Sequence, residues 1–151
     1  MSFDPVFNLS DLDGSNGFVI NGIDAGDFSG RAVSRAGDIN GDGLDDLIIG
    51  ALGADPNGNE SAGESYVVFG RAGGFSDPLE LSALDGSNGF VINGIDAGDL
   101  SGSAVSSAGD INGDGLDDLI IGANFADPNG TSRAGESYVV FGRAGGFSAT
   151  L

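Results

Sequence analysis

The sequence contains no cysteine, no histidine, no lysine and no tryptophan among its 151 residues. Without cysteine, disulfides, thiol redox chemistry and thiolate metal sites are excluded. Without histidine, lysine and cysteine, the usual nucleophile–base pairs and the usual zinc and iron sites cannot be built. The composition therefore argues against an enzyme.

Positive charge is also scarce, because five arginines face 23 acidic residues and the formal net charge is −18. Nucleic acids and anionic membranes both favour a positive protein surface, so neither is an expected partner. No apolar run approaches the length of a transmembrane helix, and residues 1–5 do not start a basic segment followed by an apolar one. We therefore expect neither a membrane anchor nor a signal peptide in this sequence, which suits a piece of a longer protein or an engineered protein.

The chain is an internal duplication. Residues 38–46 return unchanged as residues 110–118, a displacement of 110 − 38 = 72 residues, and residues 12–76 differ from residues 84–148 at eight of 65 positions. Repetition at a fixed period is typical of stacked or radial architectures. A period of 72 is long for a solenoid but fits one four-stranded blade with long loops. The 29 glycines lie between short apolar runs, as turns do in all-β proteins.

Each copy contains four candidate strands, which in the first copy are Gly17–Asn21, Gly30–Ala36, Asp46–Ala51 and Glu64–Gly70. The last two are apolar without alternation, so both of their faces should be covered. A β-propeller blade packed between neighbouring blades meets this need. A helix-covered parallel sheet would also meet it, but no segment shows helical periodicity over ten residues. The predicted fold class is all-β, with two four-stranded antiparallel propeller blades per chain.

The stretch Asp38–Asp46 has the spacing of a calcium loop. Side chains with oxygen atoms occupy its first, third, fifth and ninth positions, and glycine occupies the sixth. Calcium takes six to eight oxygen ligands, so alternate positions of a short loop suit it. The predicted ligands in this loop are the side chains of four residues and one backbone carbonyl, namely Asp38, Asn40, Asp42, Asp46 and the carbonyl of Leu44. Asp45 is expected to point into water.

Two other interpretations of this loop are weaker. An EF-hand opens in the same way, but it requires a glutamate at position twelve, which is Ile49 here, and a helix on either side. Asp, Asn and Gly also make good turns without any metal. However, two unit charges about 4 Å apart repel by roughly 4 kcal/mol at an effective dielectric constant near 20. A loop with four carboxylates and no basic residue should therefore fold together with its metal.

The segments Asp46–Ala51 and Val67–Gly70 resemble the FG-GAP repeat of integrin α-subunit propellers and of very large bacterial secreted proteins. The resemblance covers nearly all of residues 1–151, with repeat 1 at about 12–75 and repeat 2 at about 84–147. It implies a β-propeller in which a calcium loop joins the innermost strand of each blade to the next strand. Carried over by position, it implies a second calcium ion, held by Asp110, Asn112, Asp114, Leu116 and Asp118.

The third ligand position, often aspartate in the family, is Asn40 in one copy and Asn112 in the other. Each site thereby loses one negative charge, which implies weak calcium binding, with a dissociation constant of roughly 10⁻⁴ to 10⁻³ M.

The resemblance also implies how the blades are divided. The first strand of each repeat would be the outermost strand of the preceding blade, so residues 30–94 would form one whole blade with Gly89–Asn93 at its rim. The second blade would lack a rim strand, and the strand at residues 18–21 would be left over. Propellers typically have four to eight blades. We therefore predict that three or four chains close a ring, each donating its first strand to a neighbour.

The predicted function is a non-catalytic, calcium-binding scaffold of the cell-adhesion type, secreted and extracellular, with a protein or glycan ligand. The alternative is a carbohydrate-binding propeller that uses the loops around Asp55, Asn57, Asn59, Asp127 and Asn129. An enzyme with paired carboxylates is a third class, for which the candidates are Asp24 with Asp27 and Asp96 with Asp99. We expect these four to cap turns instead. Arg71 and Arg143 are predicted to pair with acids of an adjacent blade.

Overall fold

A computed structural model describes residues 6–151; residues 1–5, on which the prediction about a signal peptide partly rests, lie outside the described part. Nine strands and four short 3₁₀ turns follow one another in this part. The strands are β1 (Ile20–Asn21), β2 (Ala32–Gly37), β3 (Asp46–Ala51), β4 (Glu64–Val68), β5 (Leu79–Glu80), β6 (Gly89–Asn93), β7 (Ser101–Gly109), β8 (Asp118–Ala123) and β9 (Glu136–Val140). The 3₁₀ turns are Leu9–Asp11, Pro56–Gly58, Leu81–Ala83 and Pro128–Gly130.

Blade 1 is a four-stranded antiparallel sheet in the order β2-β3-β4-β6. Its register places Val33 opposite Ile49, Ile49 opposite Tyr66, and Tyr66 opposite Val91. The rim strand β6 comes from the second repeat. The all-β fold class and the prediction that Gly89–Asn93 completes the first blade are both confirmed.

Blade 2 is a three-stranded antiparallel sheet in the order β7-β8-β9, and no described strand takes the rim position beside β9. The left-over strand β1 pairs in parallel with β5, with Ile20 opposite Leu79. The missing rim strand and the left-over strand were both predicted, whereas the parallel pairing was not.

Some strand limits differ from the prediction for local reasons. The first strand is limited to Ile20–Asn21 rather than Gly17–Asn21, since it lacks the antiparallel partner that β4 gives to β6. Strand β2 starts at Ala32 rather than Gly30, and β4 ends at Val68 rather than Gly70. At Gly70 the backbone N–H donates to the carboxylate of Asp46, at 2.8 Å, instead of to a neighbouring strand.

The main core lies between the two blades. Apolar side chains of blade 1 meet Leu119, Ile121 and Phe147 of the second repeat in one buried cluster. The blade 1 members are Ala36, Ile39, Ile48, Val67, Phe69 and Phe90. The backbones also come close, because a Cβ atom at Gly50 would lie 2.1 Å from the carbonyl oxygen of Gly102. Glycine at position 50 therefore lets the second blade approach the first.

The opposite face of blade 1 is covered by a second cluster, in which the segment around Leu79 and Leu81 packs on Ile49, Tyr66 and Val68. The prediction that both faces of the apolar strands are covered holds for most of blade 1. In blade 2, Val139 of β9 and Ile120 of β8 are exposed, so the coverage of that face stays a prediction. Within the described residues, no further blade packs on that face of blade 2.

Candidate metal centre

Each acidic loop joins the first strand of a blade to its second strand. The first loop, residues 38–46, begins where β2 ends at Gly37 and runs into β3 at Asp46. The second loop, residues 110–118, lies between β7 and β8 in the same way. The predicted strand-loop-strand arrangement is confirmed, and the EF-hand interpretation is excluded because neither loop is flanked by helices.

The carboxylate of Asp38 organises the first loop. Its Oδ1 accepts the backbone N–H groups of Gly41 and Asp42, at 2.8 and 3.0 Å, and its Oδ2 accepts that of Gly43, at 2.9 Å. Gly41 and Gly43 have φ angles of 79° and 87°, in the left-handed region that favours glycine. Asp110 makes the same three bonds in the second loop, at 2.7, 3.1 and 2.9 Å. Both loops therefore curl around their first aspartate.

The third and fifth positions of each loop lie side by side. Asn40 donates its Nδ2 to Oδ2 of Asp42 at 3.2 Å, and the N–H of Asp42 donates to Oδ1 of Asn40 at 2.8 Å. Oδ1 of Asp42 accepts the N–H of Leu44 at 2.8 Å. Asn112, Asp114 and Leu116 repeat this pattern in the second loop.

The closing carboxylate, Asp46, is fully buried and ties the loop to the blade. Its Oδ2 accepts the N–H of Ile39 at 3.1 Å, and its Oδ1 accepts the N–H of Gly70 at 2.8 Å. Asp118 is equally buried and accepts the N–H groups of Ile111 and Gly142. The ninth residue of each loop therefore links the end of the loop both to its start and to the segment that follows the third strand of the blade.

Burial raises the pKa of Asp46 to about 6, against the two N–H bonds that lower it, and the charges of Asp42 and Asp38 raise it further. The three carboxylates are thus close enough to repel one another. Since the folded-state pKa lies above the ordinary value, the metal-free fold is favoured by protonation of Asp46 and loses that stability as the pH rises through about 6. A bound cation would remove this cost.

The oxygen donors suit calcium, although the side chains do not form a finished cage. Within residues 6–151, no three acidic side chains already converge closely enough to hold a metal ion. The carboxylates of Asp38 and Asp46 accept backbone N–H groups instead, and each ionised carboxylate keeps further lone pairs. Three carboxylates, one amide oxygen and one carbonyl in nine residues are hard ligands of the kind that calcium selects. The residue types of the loop therefore fit the ion.

The eighth loop position has different contacts in the two repeats. Asp45 points outward as expected, with 68% of its side chain exposed, and it forms an ion pair with Arg35 at 3.3 Å. At the position of Arg35 the second repeat has Ser107. Asp117 instead reaches blade 1, where its Oδ2 accepts the N–H of Asp38 at 2.9 Å. Sequence reasoning missed this contact, because it joins residues 79 positions apart.

The prediction that Arg71 and Arg143 pair with acids of an adjacent blade is wrong within this chain. Within the described residues, the ion pair of Arg35 with Asp45 is the one salt bridge found. Arg71 instead lies over the ring of Phe75, at 5.0 Å from its centre, and Arg143 lies over Phe147 at 4.6 Å. Each arginine comes shortly after the end of a strand, β4 or β9, and lies over the ring of a phenylalanine four residues further along the chain.

A separate acidic cavity of about 440 Å³ lies between residues 23–27, which connect β1 to β2, and the loop between β3 and β4. Its acids include Asp24, Asp27, Asp55 and Glu64, and burial raises the pKa of Glu64. Asp27 is buried and accepts the N–H of Asp24 at 3.2 Å, so it caps the turn as expected. The hydroxyl of Tyr66 donates to the carboxylate of Glu64. The turn-capping bond accounts for the buried position of Asp27.

Sequence comparison agrees with this geometry, since the FG-GAP repeat matches the chain twice, at residues 29–68 and 101–140. The two matches cover more than half of the chain, and each contains one acidic loop with its flanking strands. The chain belongs to the FG-GAP repeat family. This FG-GAP protein therefore has an integrin-like β-propeller fold, with two repeats in 151 residues.

Integrins are among the relatives of this FG-GAP chain. It is 32% identical to integrin alpha-PS2 of Drosophila melanogaster over 120 residues, and 30% identical to integrin alpha-5 of Xenopus laevis over 145 residues. It is also 34% identical to phosphatidylinositol-glycan-specific phospholipase D of Rattus norvegicus over 110 residues. These matches cover 77%, 93% and 73% of this chain but only 8%, 12% and 13% of the relatives. Family membership and the integrin relatives support an adhesion-type propeller scaffold.

Proposed function

We propose that this chain is a non-catalytic, calcium-stabilised propeller module that acts as an extracellular adhesion-type scaffold and closes its ring by self-assembly. The observation that carries the proposal is the pair of matching acidic loops, each curled around its first aspartate at the same hairpin of its blade. The integrin relatives support the adhesion role and the extracellular location. No helix in residues 6–151 has the length and apolar character needed to span a bilayer.

In each loop the first, third, fifth and ninth residues would hold the ion through side-chain oxygens, and the seventh through its carbonyl. In the first loop these are Asp38, Asn40, Asp42, Asp46 and Leu44. The ion would supply positive charge that offsets the repulsion among the carboxylates. Asp46 would transmit this stabilisation into the blade, because it also accepts the N–H of Gly70 at the end of the third strand.

Self-assembly would supply the blades that a closed ring requires. Three copies would provide six blades and four copies would provide eight, within the usual range of propellers. A closed ring also removes the open sheet edge at β9, which would otherwise remain available for uncontrolled pairing.

The carbohydrate-binding alternative depends on side chains that already stabilise their own loops. Asp55 accepts the N–H of Ser61 at 2.6 Å, and Asn59 donates to the carbonyl of Ile95 at 2.9 Å. Asp127 accepts the N–H of Arg133 in the second repeat. These bonds account for Asp55, Asn59 and Asp127, and the left-handed φ of 55° at both Asn57 and Asn129 is a conformation that suits asparagine. The scaffold function is therefore preferred.

A calcium titration by calorimetry tests the metal sites. We expect two ions per chain, with dissociation constants of roughly 10⁻⁴ to 10⁻³ M. Asp42→Ala and Asp114→Ala should each reduce the number of bound ions from two to one, since each removes a charged ligand from one exposed loop. Asp11→Ala removes an exposed acid outside the loops and serves as the control. Two bound ions in both loop variants, or none in the unmodified chain, would contradict the proposal.

A further inference from the structure

The first loop is held in place by residues of the second repeat. The N–H of Asp38 donates to Oδ2 of Asp117 at 2.9 Å, and the N–H of Asp117 donates to the carbonyl of Asp38 at 3.2 Å. The N–H of Arg143 donates to the carbonyl of Ile39 at 2.9 Å. The side chain of Ile39 is fully buried in the core between the blades. Three hydrogen bonds from blade 2 thus fix the start of the first loop.

The start of the second loop has the same sequence but no such contacts. Within residues 6–151, no acceptor faces the N–H of Asp110, and no atom lies within 4 Å of a Cβ built at Gly109. At the equivalent Gly37 that Cβ would overlap the side chain of Asp117. Ile111 is 56% exposed, whereas its equivalent Ile39 is 0% exposed. The second loop is therefore open on the side where the first loop is closed.

The residues that could close it lie at the other end of the same chain. Asp45 is the equivalent of Asp117 and Arg71 is the equivalent of Arg143, and both are exposed. Among residues 6–151, the side chain of Asp45 bonds only to Arg35, through this ion pair. Because both side chains of this pair are about two-thirds exposed, it adds little stability and can be exchanged for another partner.

The two exposed apolar surfaces of the chain correspond to the two surfaces that already pack against each other between its blades. Blade 2 exposes Ile120, Val139 and Phe141, whose equivalents Ile48, Val67 and Phe69 form the surface of blade 1 that receives blade 2. Blade 1 in turn exposes Val33 and Leu47. Their equivalents Val105 and Leu119 are the residues with which blade 2 packs on blade 1. The chain therefore presents both halves of its own internal interface at opposite ends.

The free strand edges fit this arrangement. Strand β6 pairs with β4 on one edge and contacts residues 149–151 on the other, where the N–H of Leu151 donates to the carbonyl of Val91. Within the described residues, strand β1 has a partner on one edge, that of the second kind: it pairs with β5, and the N–H of Leu79 donates to the carbonyl of Val19 just before β1. The other edge of β1 corresponds to the edge of β6 that pairs with β4. Transferring that register places Ile20 opposite Ser137 and Val19 opposite Tyr138.

We infer that a second copy of the chain completes the second loop: its Asp45 accepts the N–H of Asp110, its Arg71 N–H donates to the carbonyl of Ile111, and its β1 becomes the missing rim strand beside β9. The contact is head-to-tail, since two different surfaces meet. The inference rests on the self-assembly proposed above and adds that the partner shapes one of the two calcium loops. Calcium binding at the second loop and association of chains are therefore coupled.

Mixing two blocked variants tests the head-to-tail contact. Val33→Arg blocks the exposed face of blade 1 and Val139→Arg blocks that of blade 2; both side chains are exposed, so each variant should fold. By sedimentation in millimolar calcium, each variant alone should be a monomer, and an equimolar mixture should form a dimer with one intact junction. Variants that still assemble alone, or a mixture that stays monomeric, would overturn the inference.

Asp45→Ala tests the loop contact itself, with Arg35→Ala as the matched control that breaks the same ion pair but keeps Asp45. Leaving the Asp110 N–H without an acceptor should raise the concentration for half-dissociation about tenfold or more. Arg35→Ala should change it less than about threefold. Equal effects of the two substitutions would overturn the inference.

The mass of the unmodified chain separates this inference from the broader proposal. Assembly that Asp45→Ala and Val139→Arg leave intact would overturn the inference while self-assembly stands. A calcium-binding chain that stays monomeric at every concentration would overturn both self-assembly and the inference, leaving calcium binding in place. If the inference is correct, the calcium affinity of the second loop falls when the protein is diluted below its association range. This affinity is measured in the Asp42→Ala variant, in which the second loop is the remaining calcium site.

Discussion

Replacing Phe90 with alanine should lower the free energy of unfolding by about 3–5 kcal/mol. Phe90 is fully buried between the blades, where its ring stacks on Phe147 at 4.1 Å and tilts against Phe69 at 5.9 Å. The substitution removes this contact and leaves a cavity that backbone-to-backbone contacts such as that at Gly50 prevent from collapsing.

Phe18→Ala is the matched control for this substitution, because Phe18 is the equivalent residue of the first repeat. It stacks on Phe75 at 4.2 Å but is only partly buried. Its loss should be about 1–2 kcal/mol. Denaturant unfolding at low protein concentration measures both. Equal losses at the two positions would show that the blade interface is not the main core.

Replacing Gly50 with alanine should lower the free energy of unfolding by about 2–3 kcal/mol, since the new Cβ would lie 2.1 Å from the carbonyl oxygen of Gly102. The backbones of the two blades would have to separate. At the equivalent Gly122, the nearest atom to a new Cβ is the Cβ of Ala104, at an ordinary 3.6 Å.

Gly122→Ala should therefore change stability by less than about 1 kcal/mol, and the lower backbone entropy of alanine in the unfolded chain favours a small gain. Urea titration of both variants, at a protein concentration too low for chains to associate, provides the comparison. A Gly50 variant as stable as the Gly122 variant would mean that the blades are packed less closely than the structure shows.

The sequence was sufficient for the parts of the fold that depend on local pattern. The acidic spacing placed both loops between strands, and the limits of β3 were predicted as Asp46–Ala51, as observed. Residues 89–93 were assigned to the rim of blade 1 only through the family resemblance, because nothing in their own composition distinguishes a rim strand from an inner one.

What could not be predicted depends on contacts between distant residues. Ile39 and Ile111 have identical neighbours in sequence, yet one is buried and the other exposed, because only the first loop has a blade beside it. The different partners of Asp45 and Asp117 have the same origin. Arg71 was expected to find an acid but lies over Phe75, a ring four residues away. The repeated sequence shows which residues of a blade can form an interface. It does not show which of the two copies has another blade packed against it.

Thermal unfolding in calcium and in chelator tests the central claim that the two acidic loops are calcium sites. With dissociation constants of roughly 10⁻⁴ to 10⁻³ M, 10 mM calcium should add about 1.4–2.7 kcal/mol at each site. For a chain of this size, two such sites should raise Tm by about 10 °C relative to EDTA. The same Tm in 10 mM calcium and in EDTA would contradict the account.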